Sequence, residues 1–168
     1  MSIIKRFVFI IFLTTFANQA NAEDVKKMGT HKDWETYIVK SDAGKVCFAQ
    51  SKPVLQAPKT DSREARLFIS FRPAENITNE ISVTSGYDYN KKNSITARSG
   101  KNKYKFDISQ ESFAWMTSNK LEKKMIGIMQ KGSRIMVTGY NQKGSQTIDH
   151  YSLLGFTKAY KATKANCS

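Results

Sequence analysis

Residues 103–108 read Lys103-Tyr104-Lys105-Phe106-Asp107-Ile108, and this strict alternation of polar and apolar side chains decides the fold class. In an extended chain successive side chains point to opposite faces, so Tyr104, Phe106 and Ile108 would meet a core while Lys103, Lys105 and Asp107 meet water. The same period recurs at Trp34, Thr36 and Ile38 against Glu35, Tyr37 and Val39, and at Leu67, Ile69 and Phe71 against Phe68, Ser70 and Arg72. Further short strands are predicted over 45–50, 80–84, 94–98, 134–140 and 146–152, with Gly86, Gly100 and Gly144 marking turns. Residues 53–63, which hold Pro58, Lys59, Asp61 and Ser62, read as an exposed loop. Trp34 and Trp115 sit in apolar alternating segments and are expected to be at least half buried, because an indole offers a large apolar area to a core.

Two segments abandon the period of two. Over 120–131 the residues Leu121, Met125, Ile128 and Met129 recur at helical spacing, Asn119 and Glu122 suit a capped start, and Gly132 suits a left-handed close. Over 156–164 Phe156, Ala159, Tyr160 and Thr163 share one face, while Lys158, Lys161 and Lys164 form a ridge on the other. The prediction is a mainly β protein, an antiparallel β-sandwich or partly open barrel, with two short helices in its C-terminal half.

The chain opens with Lys5 and Arg6, an apolar run over 7–13 and the small-polar-small triplet Ala20-Asn21-Ala22, the order of a secretory signal peptide over 1–22. A membrane span would need about 20 consecutive apolar residues, and Thr14, Thr15, Asn18 and Gln19 interrupt this run first. No transmembrane segment is expected after cleavage. Residues 23–32 are expected to be a flexible lead-in, with His31 inside it, and 33–168 a single domain of ordinary length. The 168 residues include 27 Lys+Arg and 14 Asp+Glu, a net charge of +13, which becomes +11 once Lys5 and Arg6 leave with the signal. Such an excess attracts polyanions without choosing among them, and export disfavours nucleic acid as the partner. In an oxidising compartment Cys47 and Cys167, the two cysteines of the chain, are expected to pair; two free thiols are the alternative.

Catalytic chemistry finds little support. There is no phosphate loop, Cys-x-x-Cys pair or serine nucleophile elbow, and the two histidines, His31 and His150, are too few for a histidine-rich metal site. On a strand His150 and Asp149 point to opposite faces, against a triad built from that pair. Glycoside hydrolysis needs only two carboxylates, so Asp88, Asp107, Glu111 and Asp149 keep a small glycan hydrolase as the rival reading. No catalytic residue, metal ligand or cofactor is assigned. The basic residues carry the stronger signal: Lys101, Lys103 and Lys105 share a strand face, and Lys91, Lys92 and Arg98 lie just upstream. They form a candidate anion-binding surface with the Lys158, Lys161 and Lys164 ridge, a solvated sheet face being the alternative.

The landmarks Asp33-Trp34, Val46-Cys47-Phe48-Ala49, Ser51-Lys52-Pro53, Arg72-Pro73, Ala114-Trp115, the stretch 129–133, Tyr151-Ser152-Leu153, Gly155-Phe156-Thr157 and the final Cys167 resemble, taken together, the invasion-associated locus B family of exported alphaproteobacterial proteins. The resemblance spans nearly all of the chain beyond the signal. Many members carry further cysteines, one of them shortly after the first tryptophan, where this sequence has Tyr37 and Val39. It implies a β-rich domain in the periplasm, at the outer membrane or secreted from a Gram-negative cell, linked by the family name to host-cell interaction. It implies no catalytic residues. The expected function is therefore a non-enzymatic envelope accessory protein whose partner is an anionic envelope lipid or glycan, or an envelope protein.

Overall fold

The structure is a computed structural model that describes residues 24–42, 44–59 and 63–167. The expected signal peptide lies outside the described residues. Twelve strands and two helices follow in order: β1 (Asp24–His31), β2 (Trp34–Ser41), β3 (Gly44–Ser51), β4 (Leu55–Ala57), β5 (Arg66–Arg72), β6 (Ile77–Thr84), β7 (Ile95–Ser99), β8 (Asn102–Phe106), β9 (Ile108–Gln110), β10 (Phe113–Trp115), α1 (Asn119–Lys131), β11 (Arg134–Tyr140), β12 (Gln146–Ser152) and α2 (Phe156–Asn166). They make a β-sandwich of one seven-stranded sheet, ordered β1-β2-β3-β5-β6-β10-β9, and one five-stranded sheet, ordered β4-β12-β11-β7-β8. Ladders within each sheet are antiparallel.

The alternation of the sequence is the alternation of burial. Leu67, Ile69, Phe71, Ile81 and Val83 from one sheet and Ala97, Tyr104, Phe106, Ile135, Val137 and Tyr151 from the other form one buried cluster. Trp34 is fully buried, donates its indole N–H to the carbonyl of Ser152 at 3.0 Å and meets the ring of Phe156 edge-on at 4.8 Å. Trp115 is largely buried too, but on the outer side of the seven-stranded sheet. Helix α2 buries Phe156, Ala159 and Thr163, as the spacing predicts. Cys47 on β3 and Cys167 after α2 form the disulfide, their Cα atoms 5.7 Å apart.

Five expectations need correction. The lead-in is not free: residues 24–31 are β1, polar and edge-lying, held through main-chain pairing with β2, a mode that leaves little side-chain pattern to read. His31 therefore sits opposite Trp34 in the ladder. Within the expected loop 53–63, β4 adds to the edge of β12, and Arg63 is buried by an ion pair. The opening stretch 103–108 is two strands, for the chain leaves the five-stranded sheet after Phe106 and joins the seven-stranded sheet at Ile108, which becomes 52 % exposed. The α1 cap is Ser118, whose side chain accepts from the amide of Leu121, so Glu122 lies one position beyond a capping box and turns inward. Gly132 is extended, with φ −85°, and its need for no side chain comes from close approach: a Cβ there would meet Ile128 O and Leu153 Cδ1 at 3.1 Å.

The buried face of α1 is Glu122, Met125, Ile126 and Met129, leaving Leu121 38 % exposed. The Glu122 carboxylate accepts the Ile81 amide at 3.0 Å, beside the point where β10 stops pairing with β6, and so supplies an acceptor that no strand provides. Burial raises its pKa above the ordinary glutamate value. The folded state then holds more protons than the unfolded state between the two values, so this contribution is full below the ordinary value and is lost as pH rises through the raised one. Glu122→Gln keeps an acceptor for Ile81 and removes the titration. It is expected to flatten stability against pH and to raise it at pH 7, measured by urea midpoints at pH 5 and pH 7; parallel pH profiles for both proteins would refute the assignment.

Gly155 opens α2 at φ +88°, and a Cβ there would lie 1.8 Å from the carbonyl oxygen of His31. The β1–β2 turn thus packs against the start of α2, which places glycine in the Gly155-Phe156-Thr157 landmark by contact as well as by conformation.

Candidate functional site

Pairing register sets the outer face of the five-stranded sheet. Arg98 on β7 lies directly opposite Lys103 on β8, and Thr96 lies opposite Lys105. On the other side of β7, Arg98 faces Met136 and Thr96 faces Thr138 on β11. Arg98, Lys103 and Lys105 are exposed, while Ala97, Tyr104 and Phe106 between them are buried. Among the described residues the strands of this sheet project no carboxylate outward, since Asp149 on β12 points into the sandwich. Like charges directly opposite one another destabilise a ladder, so the Arg98–Lys103 pair is an uncompensated cost of the fold. A shallow trough crosses the face, where the cations stand among hydroxyl and amide groups of Asn93, Thr96, Thr138 and Tyr140.

Beyond the β8 edge a second hollow gathers Lys91, Lys92 and Lys105, with Asp107 on its wall. Lys101 is exposed in the β7–β8 turn. The sequence-predicted group 91–105 is therefore one continuous cationic region. Two further cations belong with it: Arg134, outward at the start of β11, and Lys143, which shares a hollow with Lys91 and Lys92. Arg134 was legible from parity, since it shares a face with Met136 and Thr138. Lys143 was not, because its place depends on how two loops meet.

Lys158, Lys161 and Lys164 are exposed along α2, opposite its buried residues. This helix packs on β1, β2, β3 and β5, whereas the strip lies on β7 and β8, so the ridge is a separate patch.

The acids divide sharply. Asp88, Asp107 and Glu111 are exposed. Asp149 is fully buried and held by Arg63 through two bonds, at 2.7 and 3.0 Å, with Gln56 donating to it at 3.1 Å. Arg63 also donates to the Ser85 carbonyl at 3.0 Å, and its guanidinium lies 5.7 Å from the Tyr87 ring centre. Tyr89 bonds Ser85 at 2.8 Å, and burial raises the pKa of the phenols of Tyr89 and Tyr151. With both carboxylate oxygens occupied, Asp149 serves to neutralise Arg63. His150 points outward from the same strand, as alternation requires.

A model of the Invasion associated locus B (IalB) protein family matches residues 34–164, from the buried Trp34 to the end of the lysine ridge. The chain belongs to this family. Among solved structures, the IalB chain is similar to invasion associated protein B from Bartonella henselae, with a TM-score of 0.58 and 11% identity over 84% of this chain and 97% of that one. At that identity the likeness establishes a shared fold. No curated protein matches the chain. The family landmarks are structural in this IalB member: Trp34, Cys47, Phe156 and Cys167 are buried, and none of these landmarks lies on the cationic strip.

Proposed function

We propose that this IalB protein is an exported, envelope-associated accessory protein that acts by binding, and that its cationic region receives anionic groups carried by envelope lipid or glycan. The observation that carries this reading is the Arg98–Lys103 cross-strand pair on a face to which the described strands project no carboxylate. A phosphate or carboxylate seated there would relieve the repulsion, and the neighbouring hydroxyl and amide groups offer it hydrogen bonds. The order Lys5-Arg6, apolar run, Ala20-Asn21-Ala22 supports export. Among the described residues no helix is long and apolar enough to cross a membrane.

The purified protein is expected to bind vesicles containing anionic lipid, to ignore zwitterionic ones, and to lose affinity steeply with salt, since exposed charges are screened beyond about 8 Å at physiological ionic strength. A cation at an anionic surface contributes about 1 kcal/mol, so the triple change Lys101→Gln, Lys103→Gln, Lys105→Gln should weaken binding roughly a hundredfold. Stability should move by only about 0.5 kcal/mol per site. Competition by a soluble anionic oligosaccharide distinguishes a glycan site from a lipid surface. Affinity indifferent to salt and to the triple change would defeat the reading.

A further inference from the structure

The outer face of the seven-stranded sheet has the opposite character. Five aromatic rings form an unbroken chain across it: Tyr37 to Phe48 at 5.2 Å, Phe48 to Phe68 at 6.0 Å, Phe68 to Phe113 at 6.0 Å and Phe113 to Trp115 at 5.8 Å. Register carries the apolar surface on to both edges, where Ile108 lies opposite Trp115 and Val25 lies opposite Val39. Val25 is 55 % exposed, Ile108 52 % and Phe113 38 %. Seven strands at about 4.8 Å spacing make a surface roughly 30 Å wide. That width is the scale of an interface burying about 800 Å² per partner, and contiguous apolar side chains left on the outside of a sheet mark an interaction site.

Charge identifies the occupant. Each charged side chain that the described strands project onto this face is paired within the chain: Lys27 with Glu35, Arg66 with Glu64, and Arg72 with Glu75 and Glu80. The molecule is strongly cationic overall, yet this face is close to neutral. Two copies meeting through the five-stranded sheet would set Arg98, Lys103 and Lys105 against their own likenesses. Meeting through the aromatic face, they oppose only ion pairs and rings, the charge-poor, aromatic composition of an interface core. The rings also disfavour a sugar. Tyr37 and Phe48 stack at 14° and Phe113 and Trp115 at 23°, so each of these rings has one flat face turned to a neighbour and less of it open to a pyranose.

We propose that the protein forms a two-fold symmetric homodimer by stacking this sheet face on its counterpart, which directs the two cationic strips away from each other. Sheets packed in this way sit about 10 Å apart, and a self-complementary patch closes as a dimer without further growth. The test is sedimentation equilibrium of the purified protein over a wide concentration range, at low and high salt. A reversible monomer–dimer equilibrium that strengthens with salt is expected, because salt screens repulsion between cationic copies and leaves apolar contact in place. The double change Ile108→Glu, Phe113→Glu alters exposed positions and should raise the dimer dissociation constant at least about tenfold, with an unchanged circular dichroism spectrum and melting profile. If that pair unfolds the chain, Val25→Glu alone on the opposite edge gives the same reading. A protein that stays monomeric throughout, or a dimer indifferent to these substitutions, overturns the proposal. So does a monomer whose Trp115 fluorescence is protected only by an added oligosaccharide.

Discussion

Asp149→Ala is expected to destabilise the protein by about 3–5 kcal/mol, more than any change to its lysines. The carboxylate is fully buried and the Arg63 side chain 8 % exposed, so removing the acid leaves a guanidinium inside the sandwich with no compensating charge. Arg63 Nε already lacks a partner, and the unpartnered Tyr151 hydroxyl, a neutral acceptor at best, cannot replace the lost charge. Arg63→Ala should cost a similar amount for the converse reason. The double replacement Arg63→Met, Asp149→Leu should cost much less than either single change, because the desolvation penalty disappears with the pair. Urea midpoints for the wild type and the three variants test this ordering directly. Single alanine variants that lose under about 1 kcal/mol would show that water reaches this pair.

The second large effect belongs to the disulfide. Cys47 and Cys167 are 120 residues apart, and closing so long a loop removes about 4–5 kcal/mol of entropy from the unfolded chain in the chain-entropy treatment. The double variant Cys47→Ala, Cys167→Ala should lose about that much. For a domain of this size each kcal/mol moves the midpoint by roughly 2–4 °C, so a fall on the order of 10–20 °C is expected by calorimetry. Reduction of the wild-type protein should produce a similar fall. A midpoint unmoved by both treatments would mean that the bridge contributes nothing to the folded state.

Much of the sandwich was legible because β-alternation reports burial directly: β11 and β12 fall on their predicted bounds, and Tyr104 and Phe106 face the core with Lys103 and Lys105 outward. The misreadings share a cause. In α1 Leu121 looks like the first core residue, but the position belongs to Glu122, which is buried because the edge of β6 needs an acceptor. Strand β1 is invisible because its place depends on main-chain bonds. Arg63 reads as surface because its partner is 86 residues away. The cationic group 91–105 was visible as local spacing, whereas the placing of Arg98 directly opposite Lys103 required the register. The aromatic face was only partly legible: parity sets Phe68 opposite Leu67, Ile69 and Phe71, whereas Trp115 reads as core in sequence, and only the closed sandwich reveals which side of the sheet it occupies.

The bridge between β3 and the end of α2 also makes residues 47–167 a covalently closed ring that contains nine of the twelve strands and both helices. A single peptide-bond cut inside that ring releases no fragment. The nicked ends stay tethered through sulfur to the middle of the seven-stranded sheet, and non-covalent pairing must fail as well before the chain comes apart. Of the described strands, β1, β2 and the head of β3 lie on an open tail, so the strands a protease can shed in one step are those at the β1 edge of the seven-stranded sheet.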